Sequence, residues 1–255
     1  MNYTPDYARM FYWEVFSREL PVEYRQAMEE GRDIESLHAL LDAVSALPDG
    51  AEKEELGDVI FRMIDRAPLR AEYPYAEPSD LAGILAARDG KDSPLTAAAG
   101  AALRNKIRGA WYGRICGCLL GKPLEGIRTP ELHAFLRETG NFPLHRYVLH
   151  SDLNDERCAR YKFPFAERTA YSDILPFPES DDDTNYTVLA QLLIRRFGRG
   201  FTPQNMADFW LDMQPKNAYC TAERVAFRNF TMGICPPASA SYKNPYREWI
   251  GAQIR

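Results

Sequence analysis

The sequence contains no Cys-x-x-Cys pair, no long apolar run and no excess of positive charge. Each absence removes a class of function. The five cysteines, Cys116, Cys118, Cys158, Cys220 and Cys235, lack the spacing of a structural zinc site, so free thiols are expected. The longest uncharged apolar stretch, ICGCLLG at 115–121, is far too short to span a bilayer. The N-terminal segment MNYTPDYARMFYWEVFSREL carries charges throughout and has no signal-peptide core. A cytoplasmic protein with no membrane partner is therefore expected. The formal net charge of −5 argues against a nucleic-acid partner, whose phosphates favour a basic face. Alternating strand patterns are lacking too, and no repeat of fixed period is found.

What is present is helical periodicity. The 255 residues suffice for one large domain or two smaller ones. Ile34, Leu37, Leu40, Leu41, Val44 and Leu47 fall on one face of a helix over 33–47. Leu56, Val59, Ile60 and Met63 repeat the pattern over 53–65. Further helices are expected over 78–90, 129–140, 202–213 and 221–233, with Thr-Pro openings at Thr129 and Thr202 and glycine stops at Gly140 and Gly233. All-α is the natural class. Proline- and charge-rich stretches at 66–80 and 87–95 divide the chain into an N-terminal helical module, 1–95, and a second region, 96–255. Residues 141–180 show no sustained period. Long irregular segments of this kind are either functional or disordered.

Two features stand out from this background. Gly109, Gly113, Gly117 and Gly121 recur every four residues and so line one face of a helix. Each costs ~1 kcal/mol relative to alanine. Close approach of a neighbouring backbone would offset that cost, so a tightly packed central helix is the structural expectation. Pro123 ends it and leaves Glu125 on the following turn, held by a rigid helix as a general base would be. An exposed surface glutamate is the plainer reading of Glu125 taken alone.

The second feature is Asp181-Asp182-Asp183-Thr184, placed before the apolar positions Val188, Leu189, Leu192 and Leu193 of a helix over about 183–197. Acidic residues at a helix start are favoured by the dipole. A cap gains only about 1 kcal/mol and needs one oxygen. Two carboxylates ~6 Å apart repel by ~0.7 kcal/mol in water and ~3 kcal/mol at an effective dielectric of 20. A cation would relieve that repulsion, and Mg²⁺ takes hard oxygen ligands of this kind. On pattern alone, a metal site and a solvated acidic cap stand level. His145 and His150, five residues apart, suit neither a helix face nor a strand face and read as loop histidines.

Three segments carry a resemblance: IRGAWYGRICGCLLGKPLEG at 107–126, SDDDTNYTVLAQLLI at 180–194 and NPYREWIGAQIR at 244–255. Together they resemble the ADP-ribosylglycohydrolase family, which includes dinitrogenase reductase-activating glycohydrolase. The resemblance implies an orthogonal all-α bundle around two Mg²⁺ ions. It implies a hydrolase that removes ADP-ribose from a modified protein side chain, often arginine, or acts on a small ADP-ribose derivative. By position, Asp182 and Asp183 match the family's metal pair, and Glu125 matches its turn glutamate, implicated in placing substrate or water. Asp181 takes the place of a threonine or serine that normally contributes a ligand oxygen, and it is counted here among the metal residues. Tyr171 and Phe177 are candidates for stacking on adenine. The resemblance also implies a C-terminal Gly-Asp-x-Asp-Thr run, which this sequence lacks, so half a metal site and a fragment of the whole protein are expected. A non-catalytic ADP-ribose-binding or structural relative, and a hydrolase of another nucleoside or phosphate ester, remain the competing readings.

Overall fold

Most of the helical periodicities become helices because they have an apolar stripe to bury. The computed structural model describes residues 5–10, 12–88, 90 and 98–254. Its helices are α1 Leu20–Glu29, α2 His38–Ser45, α3 Ala51–Arg66, α4 Leu81–Ala87, α5 Gly100–Gly121, α6 Thr129–Glu138, α7 Asp155–Cys158, α8 Asp182–Phe197, α9 Pro203–Met213, α10 Thr221–Thr231, α11 Ala238–Ser241 and α12 Ile250–Ile254. Among the described residues there is no strand, and Arg32 and Leu69 form an isolated antiparallel bridge. The class is all-α. Among the same residues no helix is long and apolar enough to cross a membrane.

The chain divides into two compact units, Met1–Lys91 with Leu193–Arg255, and Asp92–Leu192. The N-terminal helices thus share a unit with the C-terminal ones. The boundary expected at residue 95 falls outside the described residues.

In the first unit, Leu20 and Ala27 of α1 bury against Leu41 and Val44 of α2 and Ile60, Phe61 and Ile64 of α3. Helix α1 was not foreseen. The stripe of α3 also differs from expectation. Gly57, Ile60, Phe61 and Ile64 face inward, while Leu56, Val59 and Met63 stay exposed. Gly57 allows this face to approach Ser17, whose Cβ would lie 3.1 Å from an added methyl. The two ends of the chain are joined by charge. Arg247 donates to Glu30 at 2.7 Å through Nε and again through Nη2, and to Glu23 at 2.8 Å. Arg224, almost fully buried, donates to Glu14 at 2.9 Å.

In the second unit, the core is aromatic. Phe135 of α6 stacks on Phe165 with ring centroids 4.2 Å apart, and Tyr171, Phe163 and Val148 close around them. Most of these residues come from the aperiodic stretch 141–180, which is therefore ordered by packing. Polar anchors hold it. Arg146 grips Asp152 with bonds of 2.7 and 2.8 Å, and Asn141 Oδ1 accepts from the amides of His145 and Arg146 at 3.2 Å each.

Helix α5 departs most from expectation. It is helical, as the glycine spacing requires, but none of its residues is buried. Nothing lies within 4 Å of a Cβ built on Gly109, Gly113, Gly117 or Gly121. The expected close-packed neighbour is not found among the described residues. The glycines here give the helix a bare face, not a tight contact.

Candidate functional site

The site lies in the second unit, where the end of α5 meets the start of α8. Asp181 is the residue that starts α8. Its carbonyl accepts from the Asn185 amide at 3.0 Å, its Oδ1 accepts from the Asp183 amide at 3.0 Å, and the Thr184 hydroxyl donates to its carbonyl at 2.9 Å. This is capping chemistry, supplied by the local sequence Asp-x-Asp-Thr. Asp182 and Asp183 then fall in the first turn, where the dipole favours negative charge. Asp181 is only 9% exposed, Asp183 is half-buried and Asp182 faces solvent.

Helix α5 contributes Cys118 and, one residue past its end, Lys122. The Lys122 ammonium donates to Asp181 Oδ2 at 2.7 Å and lies 3.5 Å from Glu125 Oε2. One cation thus links two motifs distant in the sequence, Glu125 and the aspartate cluster. Glu125 itself is 68% exposed on its turn. That turn is tied down by Arg168, which donates to the Glu125 carbonyl at 2.7 Å. Pro123 and Leu124 are buried beneath it.

The electrostatics follow from these contacts. Burial works against ionisation of Asp181, but the Lys122 ammonium and the Asp183 amide outweigh it and hold the carboxyl down at about 2. The hydrogen bond to Asp181 pushes Lys122 up to about 12. Burial, then the neighbouring Asp181 and Asp183 charges, push the Cys118 thiol up to about 11, so it stays protonated at neutral pH.

Ligand atoms of Cys118, Asp181 and Asp183 lie within 4.8 Å of one another, close enough to share a metal ion. The carboxylates suit a hard divalent cation. The protonated, soft thiol adds nothing to such a set, and Lys122 already occupies one oxygen of Asp181. The crevice lined by Cys118, Leu119, Lys122, Ala170, Pro178, Glu179 and Asp181 has a volume of about 10 Å³, enough for one water or ion.

The structure thus brings Asp181, Asp183 and, through Lys122, Glu125 together. Asp182 lies outside the 4.8 Å group and is exposed, yet its side chain hydrogen-bonds Asp181. Tyr171 is fully buried, its hydroxyl donating to the Phe165 carbonyl at 2.8 Å. Its ring packs in the aromatic core and presents no face to adenine, because the sequence shows an aromatic but not what surrounds it. Phe177 is 71% exposed and does present its ring. Sequence reasoning missed Lys122 and Cys118. The signal was available: both lie on the same helical side as the approach to Glu125, four residues apart.

Fold and site together define an all-α protein with a helix-borne acidic cluster able to hold a cation. Residues 99–255 match the family model described as ADP-ribosylglycohydrolase. The chain belongs to the ADP-ribosylglycohydrolase family. No curated protein and no solved structure matches it. Membership carries the general reading of a hydrolase for ADP-ribosylated substrates.

Proposed function

We propose that this chain carries a Mg²⁺-dependent site for hydrolysing the bond between ADP-ribose and a modified protein side chain, or a related ADP-ribose derivative. The observation that supports this reading best is the convergence of Lys122, Glu125 and Asp181 beside Asp183 in a family member. Asp181 and Asp183, with Asp182 beside them in the first turn, would hold the ion. When bound, a divalent cation supplies charge stabilisation to ribose hydroxyls and a nearby water.

The remaining work falls to the chain's own residues. Glu125, exposed and steered by Lys122, takes a proton from the attacking water. The water oxygen bonds to the anomeric carbon, the bond to the side chain breaks, and a proton returns to the leaving group. The carboxylates of the cluster favour the positive charge that develops on the sugar ring. Phe177 offers an exposed aromatic face for the adenine.

The test is release of free ADP-ribose from ADP-ribosylated arginine and serine peptides, with and without Mg²⁺. Release that requires Mg²⁺ and is lost in Asp182→Ala supports the proposal. Binding of ADP-ribose without release would favour a non-catalytic relative and sink the hydrolase reading.

A further inference from the structure

Three arginines of the first unit are mostly buried, and they are answered differently. Arg247 is held by the carboxylates of Glu23 and Glu30 at 2.8 and 2.7 Å. Arg224 is held by Glu14 at 2.9 Å and by Asn217 Oδ1 at 2.9 Å. Arg228, one turn further along α10, donates instead to two backbone carbonyls, those of Trp13 at 3.3 Å and Lys243 at 3.1 Å. Its guanidinium carbon lies 3.5 Å from the centre of the Phe16 ring. Its Nε is buried and meets no acceptor among the described residues. Glu54, Glu14 and Glu19 reach it only through space, and burial pushes it down to about 9. A buried charge without a directly bonded counter-charge is costly. Each Nη nitrogen carries two hydrogens and spends one on a carbonyl, so donors remain for another acceptor.

The same arginine lines a cavity of about 350 Å³, within the range of small-molecule pockets. Every residue of its wall belongs to the first unit, so it is separate from the acidic cluster of the second. Met10, Phe16, Phe227 and Met232 make the wall largely apolar. Its charged residues are Lys216, Arg224 and Arg228 against Glu14 and Glu54, one positive charge in excess. Glu14 is taken up by Lys216 and Arg224, and Glu54 Oε1 accepts from the Ser17 amide at 2.9 Å. A single negative charge would balance this set. A phosphate ester, nearly doubly charged, would add repulsion from both glutamates. Phenylalanine faces and methionine sulfurs suit a flat aromatic body. A cavity of ~150 Å³ accepts benzene, so this one takes about 10–15 non-hydrogen atoms.

We propose that this cavity is a binding site for an aromatic monocarboxylate, with the carboxylate on Arg228 and the ring system among Phe227, Met10 and Met232. The ligand supplies the counter-charge that Arg224 and Arg247 find within the chain.

The test titrates naphthoate, a flat monoanion of this size, into the 255-residue chain carrying isotope-labelled methionine methyl groups. Nuclear magnetic resonance should show saturable shifts at Met10 and Met232, with a Kd below about 1 mM, and none at the exposed Met63 of α3. Neutral naphthalenemethanol should bind at least about tenfold more weakly, and Arg228→Gln should weaken naphthoate binding by at least about tenfold. Arg228→Lys, which keeps the charge but not the fork, should retain part of the affinity. Thr231→Trp, at an exposed position on the rim, should fill the cavity and abolish the shifts, which keeps the test decisive should Arg228→Gln fold poorly. The absence of saturable shifts at Met10 and Met232, equal affinity for the neutral alcohol, or full binding by Arg228→Gln or Thr231→Trp would overturn the proposal. Tighter binding of naphthyl phosphate than of naphthoate would overturn the carboxylate assignment.

Discussion

In the unit built from the two ends of the chain, Arg247 holds Glu30 with two bonds of 2.7 Å and Glu23 with one of 2.8 Å. In the other unit, Asp181 is held by a single ammonium at 2.7 Å, with two more aspartates following it in sequence. The first arrangement is a planar fork matched to planar carboxylates, joining residues 217 and 224 positions apart. Such a contact fixes architecture. The second is a point charge set among several acids at a helix start. Its geometry is less exclusive, and it leaves carboxylate chemistry available at the surface. The comparison teaches that acidic residues of similar burial serve different ends according to which cation answers them.

Breaking the architectural pair should have the largest effect. Arg247→Ala leaves Glu23 and Glu30 without their guanidinium in a largely buried setting. The expected loss is about 4 kcal/mol in unfolding free energy, measured by urea titration. Asp183→Asn in the acidic site should behave in the opposite way. Unfolding free energy should change by less than about 1 kcal/mol, while ADP-ribose release should fall by about 100-fold or more. A large stability loss with intact activity would reverse the roles assigned to the two clusters.

The same contrast governs how much was legible beforehand. The helices α2, α3, α6, α9 and α10 are visible in the sequence from local apolar spacing, although the stripe of α3 is offset; of the five, α9 alone has a side-chain cap, Thr202 paired with Asn205. Helix α6 starts at Thr129, one residue earlier than a Thr129 cap implies, with Arg128 in the cap position. Helix α1 was not legible because two of its four buried residues, Glu23 and Gln26, are polar and pair with Arg247 and Glu30. Burial of that kind leaves no hydrophobic stripe. Charge repulsion made the aspartate cluster a candidate cation site, level with a solvated cap, and Glu125 drew notice only from its place after a helix-ending proline. The cation that joins them was not. A lysine next to a proline looks like any surface lysine until the fold brings residue 122 against residue 181, 59 positions away.

Two buried carboxylates, one in each unit, offer a finer probe, because their titrations run in opposite directions. Glu19 is buried, its Oε2 accepts from the Tyr246 hydroxyl, and its Oε1 meets no donor among the described residues. Burial pushes it up to about 7, against the opposing pull of Arg228 and Arg18. Below pH 4.5 both folded and unfolded states carry the proton, and the contribution is fully present. As pH rises the unfolded chain ionises first, and stability is lost until the folded carboxyl ionises near pH 7. Glu19→Gln should therefore gain about 2 kcal/mol over the parent at pH 8 and nothing at pH 4.

Asp181 has its folded value lowered from 3.8 to about 2, so its contribution is present above pH 3.8 and is lost as pH falls toward 2. Lys122 is about one-third exposed, so solvent screens the pair, and the effect should be on the order of 1 kcal/mol. Asp181→Asn should flatten the acid limb of the stability curve between pH 4 and pH 2 while leaving the slope between pH 4.5 and pH 7 untouched. Hydrogen exchange read separately on peptides around Glu19 and around Asp181 assigns each limb to its unit. If Asp181→Asn instead altered the neutral limb, the lysine contact would not be what holds the aspartate charged.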